Sequence, residues 1–188
     1  MDLTNLIESM RDAPIVPKGD YNYYVFPITD GVPALDRDVL REVVDGILEV
    51  ADTDVDRIVT MEAMGIPVAT ALTLRTGIPM TIIRKRSYGL EDECIVEQET
   101  GYSKNSMYIN CLEPGLKVLL VDDIISTGGT LIALLNALRD MEVEIADVVM
   151  VVDKGDGARR VLDETGITVK SLVRVEPTEG APRVEQIH

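Results

Sequence analysis

The sequence predicts an α/β fold, a mostly parallel sheet flanked by helices, and three features carry that prediction. Stretches with apolar residues at helical spacing alternate with short apolar runs of strand length along most of the chain. The runs Val118–Val121 and Val148–Val152 are continuously apolar, as strands buried on both faces must be. Glycines and aspartates stand where one kind of segment gives way to the other. In such sheets ligands bind beyond the carboxyl ends of the strands.

The elements follow in order. Residues 3–11 predict a short helix with Leu3, Leu6, Ile7 and Met10 on one face, and Tyr21–Phe26 a strand stopped by Pro27. Asp36–Val50 is helical by pattern, with Val39, Leu40, Val43, Val44, Ile47 and Leu48 in register and Asp36 as its N-cap. Arg57–Met61 is a strand, Ile66–Arg75 a helix ended by Gly77, and Met80–Ile83 a strand. Residues 87–105 break the rhythm. They are polar and rich in acids, the composition of an irregular stretch that is disordered or serves as a flexible lid. Strand Ser106–Asn110, a turn at Glu113-Pro114-Gly115 and strand Lys117–Val121 come next, then helix Thr130–Arg139 and strand Ile145–Val152. Helix Ala158–Glu164 and strand Thr168–Val175 complete the pattern. Residues 176–188 hold Pro177, Gly180 and Pro182 without periodicity and read as a loose tail.

Composition narrows the function. A chain of 188 residues with 46% hydrophobic and 27% charged residues suits one domain, residues 1–188, with a proper core. No apolar run has the length of a membrane span, and MDLTNLIESMRD lacks the basic start of a signal peptide, so the expected location is cytoplasmic. Cys94 and Cys111 are then expected as reduced thiols. The single histidine is His188, which excludes Ser-His-Asp and Cys-His catalysis and a histidine zinc site. A net charge of −15 disfavours nucleic acid as a partner and fits a halophilic cytosol, where salt screens dense carboxylates.

The chemistry concentrates in Leu119–Thr130, LLVDDIISTGGT. Glycines at 128 and 129 let backbone N–H groups approach a phosphate, and the following helix start adds unsatisfied donors and a favourable dipole. Ser126, Thr127 and Thr130 add hydroxyls. Asp122 and Asp123 stand at a strand end, where carboxylates accept hydrogen bonds from the vicinal diol of a ribose. An ordinary capped helix after a strand would need none of these features together. The string lacks the G-K-[ST] of a triphosphate loop and the G-x-G-x-x-G of a dinucleotide fold.

This string resembles the 5-phosphoribosyl-1-diphosphate (PRPP) signature of the type I phosphoribosyltransferases: four apolar residues, two acids, two apolar residues, a small residue and T-G-G-T. The likeness covers about residues 20–175 and is strongest to the adenine and xanthine enzymes and to archaeal hypoxanthine/guanine enzymes related to them. It implies a small hood over the sheet, a flexible lid, Mg2+ held mainly through substrate with Asp122 and Asp123 as possible ligands, and a homodimer. PRPP contact is carried over to Asp122, Asp123, Ile124, Ser126, Thr127, Gly128, Gly129 and Thr130. Thr60–Gly65, TMEAMG, resembles the diphosphate loop of these enzymes, so Glu62, Ala63, Met64 and Gly65 are expected near diphosphate, with Arg84, Lys85 and Lys104 as its cations. Met64 stands where the adenine enzymes have an arginine. Asp122, Asp123, Lys85 and Tyr102 are the implied catalytic group, Tyr102 closing from the lid.

Purine choice rests on Phe26, Val152 and Lys154. The resemblance makes Phe26 a ring that packs on the base. Lys154, after an apolar strand, can donate to a 6-oxo group but would face the amine of adenine badly. Hypoxanthine or guanine is therefore expected, with adenine as the alternative. A PRPP-sensing regulator of the same fold is a further alternative, disfavoured because only about twenty residues precede the first strand, too few for a helix-turn-helix. Other hypoxanthine-guanine enzymes place an acid at the position of Ser126, which leaves Glu99, Tyr102 or water for the N7 proton.

Overall fold

The computed structural model describes residues 1–18, 21–100, 103–176, 178 and 180–188. Its centre is a six-stranded sheet in the order β10-β9-β8-β7-β3-β4. Here β3 is Arg57–Met61, β4 Met80–Ile83, β7 Lys117–Ile125, β8 Glu144–Asp153, β9 Lys170–Glu176 and β10 Arg183–Gln186. All neighbours run parallel except β10, which pairs antiparallel with β9. The parallel prediction thus holds for five strands, and the carboxyl ends of β3, β4, β7 and β8 open on one edge.

Both faces of the sheet are covered, which is why its strands read as continuous apolar runs. Leu119, Val121, Val149 and Val151 face a core completed by α1 (Thr4–Arg11), α3 (Arg37–Val50) and α4 (Gly65–Thr76). Val118, Leu120, Val148 and Met150 face a second core with α5 (Gly129–Asp140) and α6 (Gly157–Thr165). Asp36 caps α3 as its sequence implies, its carboxylate accepting from the Asp38 N–H at 2.7 Å. The buried Glu42 of α3 accepts from the Leu6 N–H at 2.9 Å, tying α1 to α3. Above the carboxyl edge lies a hood made of the hairpin β1 (Ile15–Lys18) and β2 (Tyr21–Tyr24) and the short helix α2 (Pro27–Asp30).

The structure adds β1 and α2, which the sequence reading lacked, and differs from that reading in three further places. Much of the expected irregular stretch is a hairpin, β5 (Cys94–Thr100) paired antiparallel with β6 (Ser103–Ile109). On β5 Val96 is buried while Ile95 is 57% exposed, so no apolar alternation announces the strand. The tail is docked rather than loose: β10 pairs with β9, Val184 is buried, and the Tyr24 hydroxyl donates to the Thr178 carbonyl at 2.7 Å. Strand β7 also runs on through both aspartates to Ile125, because Asp122, Ile124 and Ile125 keep their register with Met150, Val152 and Asp153. No helix among the described residues is long and apolar enough to cross a membrane.

Candidate active site

The open edge carries a cleft of about 1240 Å³, including its mouth, whose walls include Glu62, Lys85, Tyr108, Asp122, Asp123 and Thr130. Five of these, all but Tyr108, are residues that the sequence singled out, on three separate segments, and parallel strand order alone brings them together. A smaller recess of about 510 Å³ continues it along Ile124–Gly128 and Thr130. This places the aspartate pair and the glycine loop on one continuous surface.

The two acids are not equivalent. Asp122 is buried and Asp123 partly open. Burial pushes Asp122 well above the usual carboxylate range, and the neighbouring Asp123 charge adds to the effect. Asp123 rises to about 6, again chiefly through burial, with a contribution from the charge of Asp30 in the hood. The two carboxyls hydrogen-bond each other, and the Asp123 N–H donates to Asp122 Oδ1 at 3.0 Å. Lys85 opposes both shifts, so its ammonium stands close enough to act on the pair. The pair is therefore primed for cationic or donor partners, which would favour its ionised form.

Beyond Ile125 the chain turns into α5 with Gly128 at φ 76°, a left-handed conformation suited to glycine. Ser126 and Thr127 are exposed there, and Gly129 and Thr130 open the helix. Residues from another segment brace this turn. The Lys154 N–H donates to the Ile125 carbonyl at 2.8 Å, and a methyl on Gly157 would lie 2.3 Å from the Ser126 carbonyl oxygen. Gly157 was not singled out by sequence; the glycine spacing in Asp153-Lys154-Gly155-Asp156-Gly157 is the one signal that could have found it.

The loop after β3 includes a cis peptide between Glu62 and Ala63. Glu62 faces the other segment at the edge: its carboxylate accepts from the Lys85 N–H at 2.5 Å, and Arg84 Nε lies 3.0 Å away. Glu62 thus fastens this loop to the end of β4 and neutralises Arg84, leaving Lys85 to face the acids. Ala63 is exposed and Gly65 buried. Met64 lies towards the hood, where a methyl on Gly31 would sit 3.6 Å from its terminal carbon.

Several expected residues fall elsewhere. Phe26 is 2% exposed and stacks on Tyr24 with ring centroids 6.0 Å apart, so it supports the hood from within and offers no ring face to the cleft. The Val152 side chain is fully buried, leaving only its main chain near the edge. Lys154 follows directly at the end of β8, partly exposed. Tyr102 lies outside the described residues; the Lys104 backbone pairs with Glu99 in the β5–β6 hairpin, and both side chains lie outside them. Sequence reasoning missed Asp30, whose carboxylate accepts from the Tyr23 hydroxyl at 2.6 Å and the Phe26 N–H at 3.0 Å.

Residues 36–176 match the family model described as the phosphoribosyl transferase domain. The chain belongs to this family. It is 53% identical over 182 residues to a hypoxanthine/guanine phosphoribosyltransferase of Ferroglobus placidus, covering 97% of each chain. It is 55% identical over 177 residues to one of Methanobacterium lacus, covering 94% of this chain and 93% of that one. The fold matches a crystal structure of adenine phosphoribosyltransferase from Thermoanaerobacter pseudethanolicus with a TM-score of 0.72, at 21% identity over 92% of this chain and 99% of that one. The mostly parallel sheet flanked by helices is the architecture that this phosphoribosyltransferase shares with that structure.

Proposed function

We propose that the chain is a purine phosphoribosyltransferase of purine salvage, joining hypoxanthine or guanine to the 5-phosphoribosyl group of PRPP. The observation that carries this reading is the convergence of the aspartate pair, the glycine loop, Lys85 and Lys154 on one edge of the sheet. Relatives at half identity over nearly the whole chain bear the name hypoxanthine/guanine phosphoribosyltransferase, which supports the choice of base.

The residues divide the work. Ser126–Thr130 bind the 5-phosphate through backbone donors and hydroxyls, and Asp122 and Asp123 accept from the ribose diol. The purine N9 forms its bond to C1 as the bond from C1 to the diphosphate oxygen breaks, with inversion, and the ring proton passes to solvent. Negative charge grows on the departing diphosphate, where Lys85, just beyond β4, and the loop Glu62–Gly65 stand. Magnesium, when bound, neutralises that charge. The paired acids fit such an ion, since a nearby cation offsets the cost of ionising two buried carboxyls. A magnesium ion there would be held mainly through substrate oxygens, with Asp122 and Asp123 as its possible protein ligands.

The test is incubation with PRPP, magnesium and each of hypoxanthine, guanine, xanthine and adenine. IMP and GMP are the expected products. No nucleotide from any base would overturn the reading, and AMP alone would overturn the choice of purine. Lys154→Ala should lower kcat/KM for hypoxanthine and guanine roughly 10- to 100-fold, the loss of one hydrogen bond from a charged donor. An unchanged preference among bases would assign specificity to the backbone instead.

The protein is further proposed to be a homodimer, as its family resemblance implies, and, on the strength of its net charge of −15, to be adapted to a cytoplasm of high salt. Sedimentation and thermal melting in low and molar potassium chloride test both points. A dimer whose Tm rises with salt is expected; a monomer, or a Tm indifferent to salt, would refute the corresponding half.

A further inference from the structure

Thr60 is the fourth residue of β3 and is fully buried, yet its hydroxyl has no hydrogen-bond partner among the described residues. An unpaired buried hydroxyl is costly, and its position beside the site calls for a reason. Gly65, which opens α4, supplies the context. A methyl group there would lie 2.1 Å from Thr60 Oγ1 and 2.2 Å from Asp122 Oδ1. The two oxygens come from neighbouring parallel strands and converge on the bare backbone of Gly65. Gly65 is not among the glycines with positive φ, so space and not backbone freedom requires glycine at this position.

We propose that Thr60 and Gly65 are positioning residues that together seat Asp122. The bare Gly65 lets the first turn of α4 rest on Asp122 Oδ1, and the Thr60 hydroxyl, which has no hydrogen-bond partner here, donates to that oxygen once a small shift of the two side chains across Gly65 brings them together as PRPP binds. The Asp123 N–H, 3.0 Å away, holds it from the other side. With its inner oxygen fixed, the carboxyl presents its other oxygen to the ribose diol in one orientation. The seat also joins the ribose acid to the diphosphate loop, because Gly65 ends that loop. PRPP therefore meets one rigid unit at its ribose and at its diphosphate. This assignment rests on the reading of the cleft as a PRPP site.

The test is calorimetric binding of PRPP with magnesium, together with steady-state kinetics, for the wild type, Thr60→Val, Thr60→Ser and Gly65→Ala. Thr60→Val keeps the volume and removes only the hydroxyl. It should weaken PRPP binding and raise its KM about 10-fold with kcat little changed, the size of one hydrogen bond to a charged group. Thr60→Ser, which keeps the hydroxyl, should stay within about 3-fold of the wild type, a rescue that a purely structural role would not give. Gly65→Ala should raise the same KM at least as much as Thr60→Val. Wild-type binding and KM in Thr60→Val would overturn the seat. A wild type that binds no PRPP would overturn the functional reading itself, so the two failures are told apart.

Discussion

Replacing both Asp122 and Asp123 by asparagine is expected to weaken PRPP binding at least about 100-fold, through lost charge-assisted hydrogen bonds to the ribose, while stabilising the ligand-free protein at about pH 8. The two effects have one cause. Both carboxyls have folded-state values above the ordinary 3.8, Asp123 at about 6 and Asp122 also well above 3.8, because burial disfavours their charge. The folded state therefore binds more protons than the unfolded state across this range. Stability from the pair is fully present below the unfolded value and is lost as pH rises through the folded values. At neutral and alkaline pH the empty site carries that cost, which asparagine removes while keeping an oxygen for the Asp123 N–H. After allowance for the partial exposure of Asp123, the gain is about 2 kcal/mol, or roughly 4–8 °C in Tm for a chain of this size. Melting curves at about pH 5 and pH 8 with a chelator present, and calorimetric titration of PRPP, check both halves. Normal affinity would refute the diol role, and a lower Tm at the higher pH would refute the assigned cost.

Gly157→Ala is the second large effect, at a residue that touches no substrate in the proposed mechanism. Its methyl would lie 2.3 Å from the Ser126 carbonyl oxygen and 2.9 Å from the Gly128 nitrogen. Both are backbone atoms, so no rotamer change relieves the contact. Gly128 is equally constrained from its own side: its φ is 76°, and a methyl on it would lie 2.7 Å from the Gly157 carbonyl oxygen. Either α6 moves away or the phosphate loop shifts. A displaced loop is expected to raise the KM for PRPP by roughly 10- to 100-fold, with a loss of about 2 kcal/mol in stability. Gly166→Ala is the control. Gly166 caps the other end of α6 at φ 75° with open space around it, so alanine should cost about 1 kcal/mol and leave the KM unchanged. Equal KM values for the two variants would show that α6 does not brace the loop.

The features that were legible in the sequence were those with a local cause. The buried parallel strands announce themselves because burial on both faces makes them continuously apolar, and Asp36 caps its helix through a bond two residues away. The phosphate loop is a contiguous string, so its chemistry can be read in order. The β5–β6 hairpin was not legible, since Val96 and Met107 bury against α5 while exposed Ile95 interrupts the alternation. Strand β10 was hidden for a related reason: Val184 is its only buried residue, and the strand exists because β9 leaves an edge to pair with. Phe26 shows the opposite error, an aromatic assigned to the cleft by resemblance that packs under the hood.

By itself, then, the sequence determined the sheet, the loop between β7 and α5, and the aspartates at its start, all set by neighbours within a few residues. Only the tertiary structure decided which residues meet across strands. Thr60, Gly65 and Asp122 converge because β3 and β7 are neighbours. Glu62 neutralises Arg84 because β3 and β4 end side by side. Gly157 supports Ser126 because α6 begins against the phosphate loop. The physical reason is the same in each case: a contact between distant segments depends on strand order and backbone approach, and neither leaves a periodic mark on the chain.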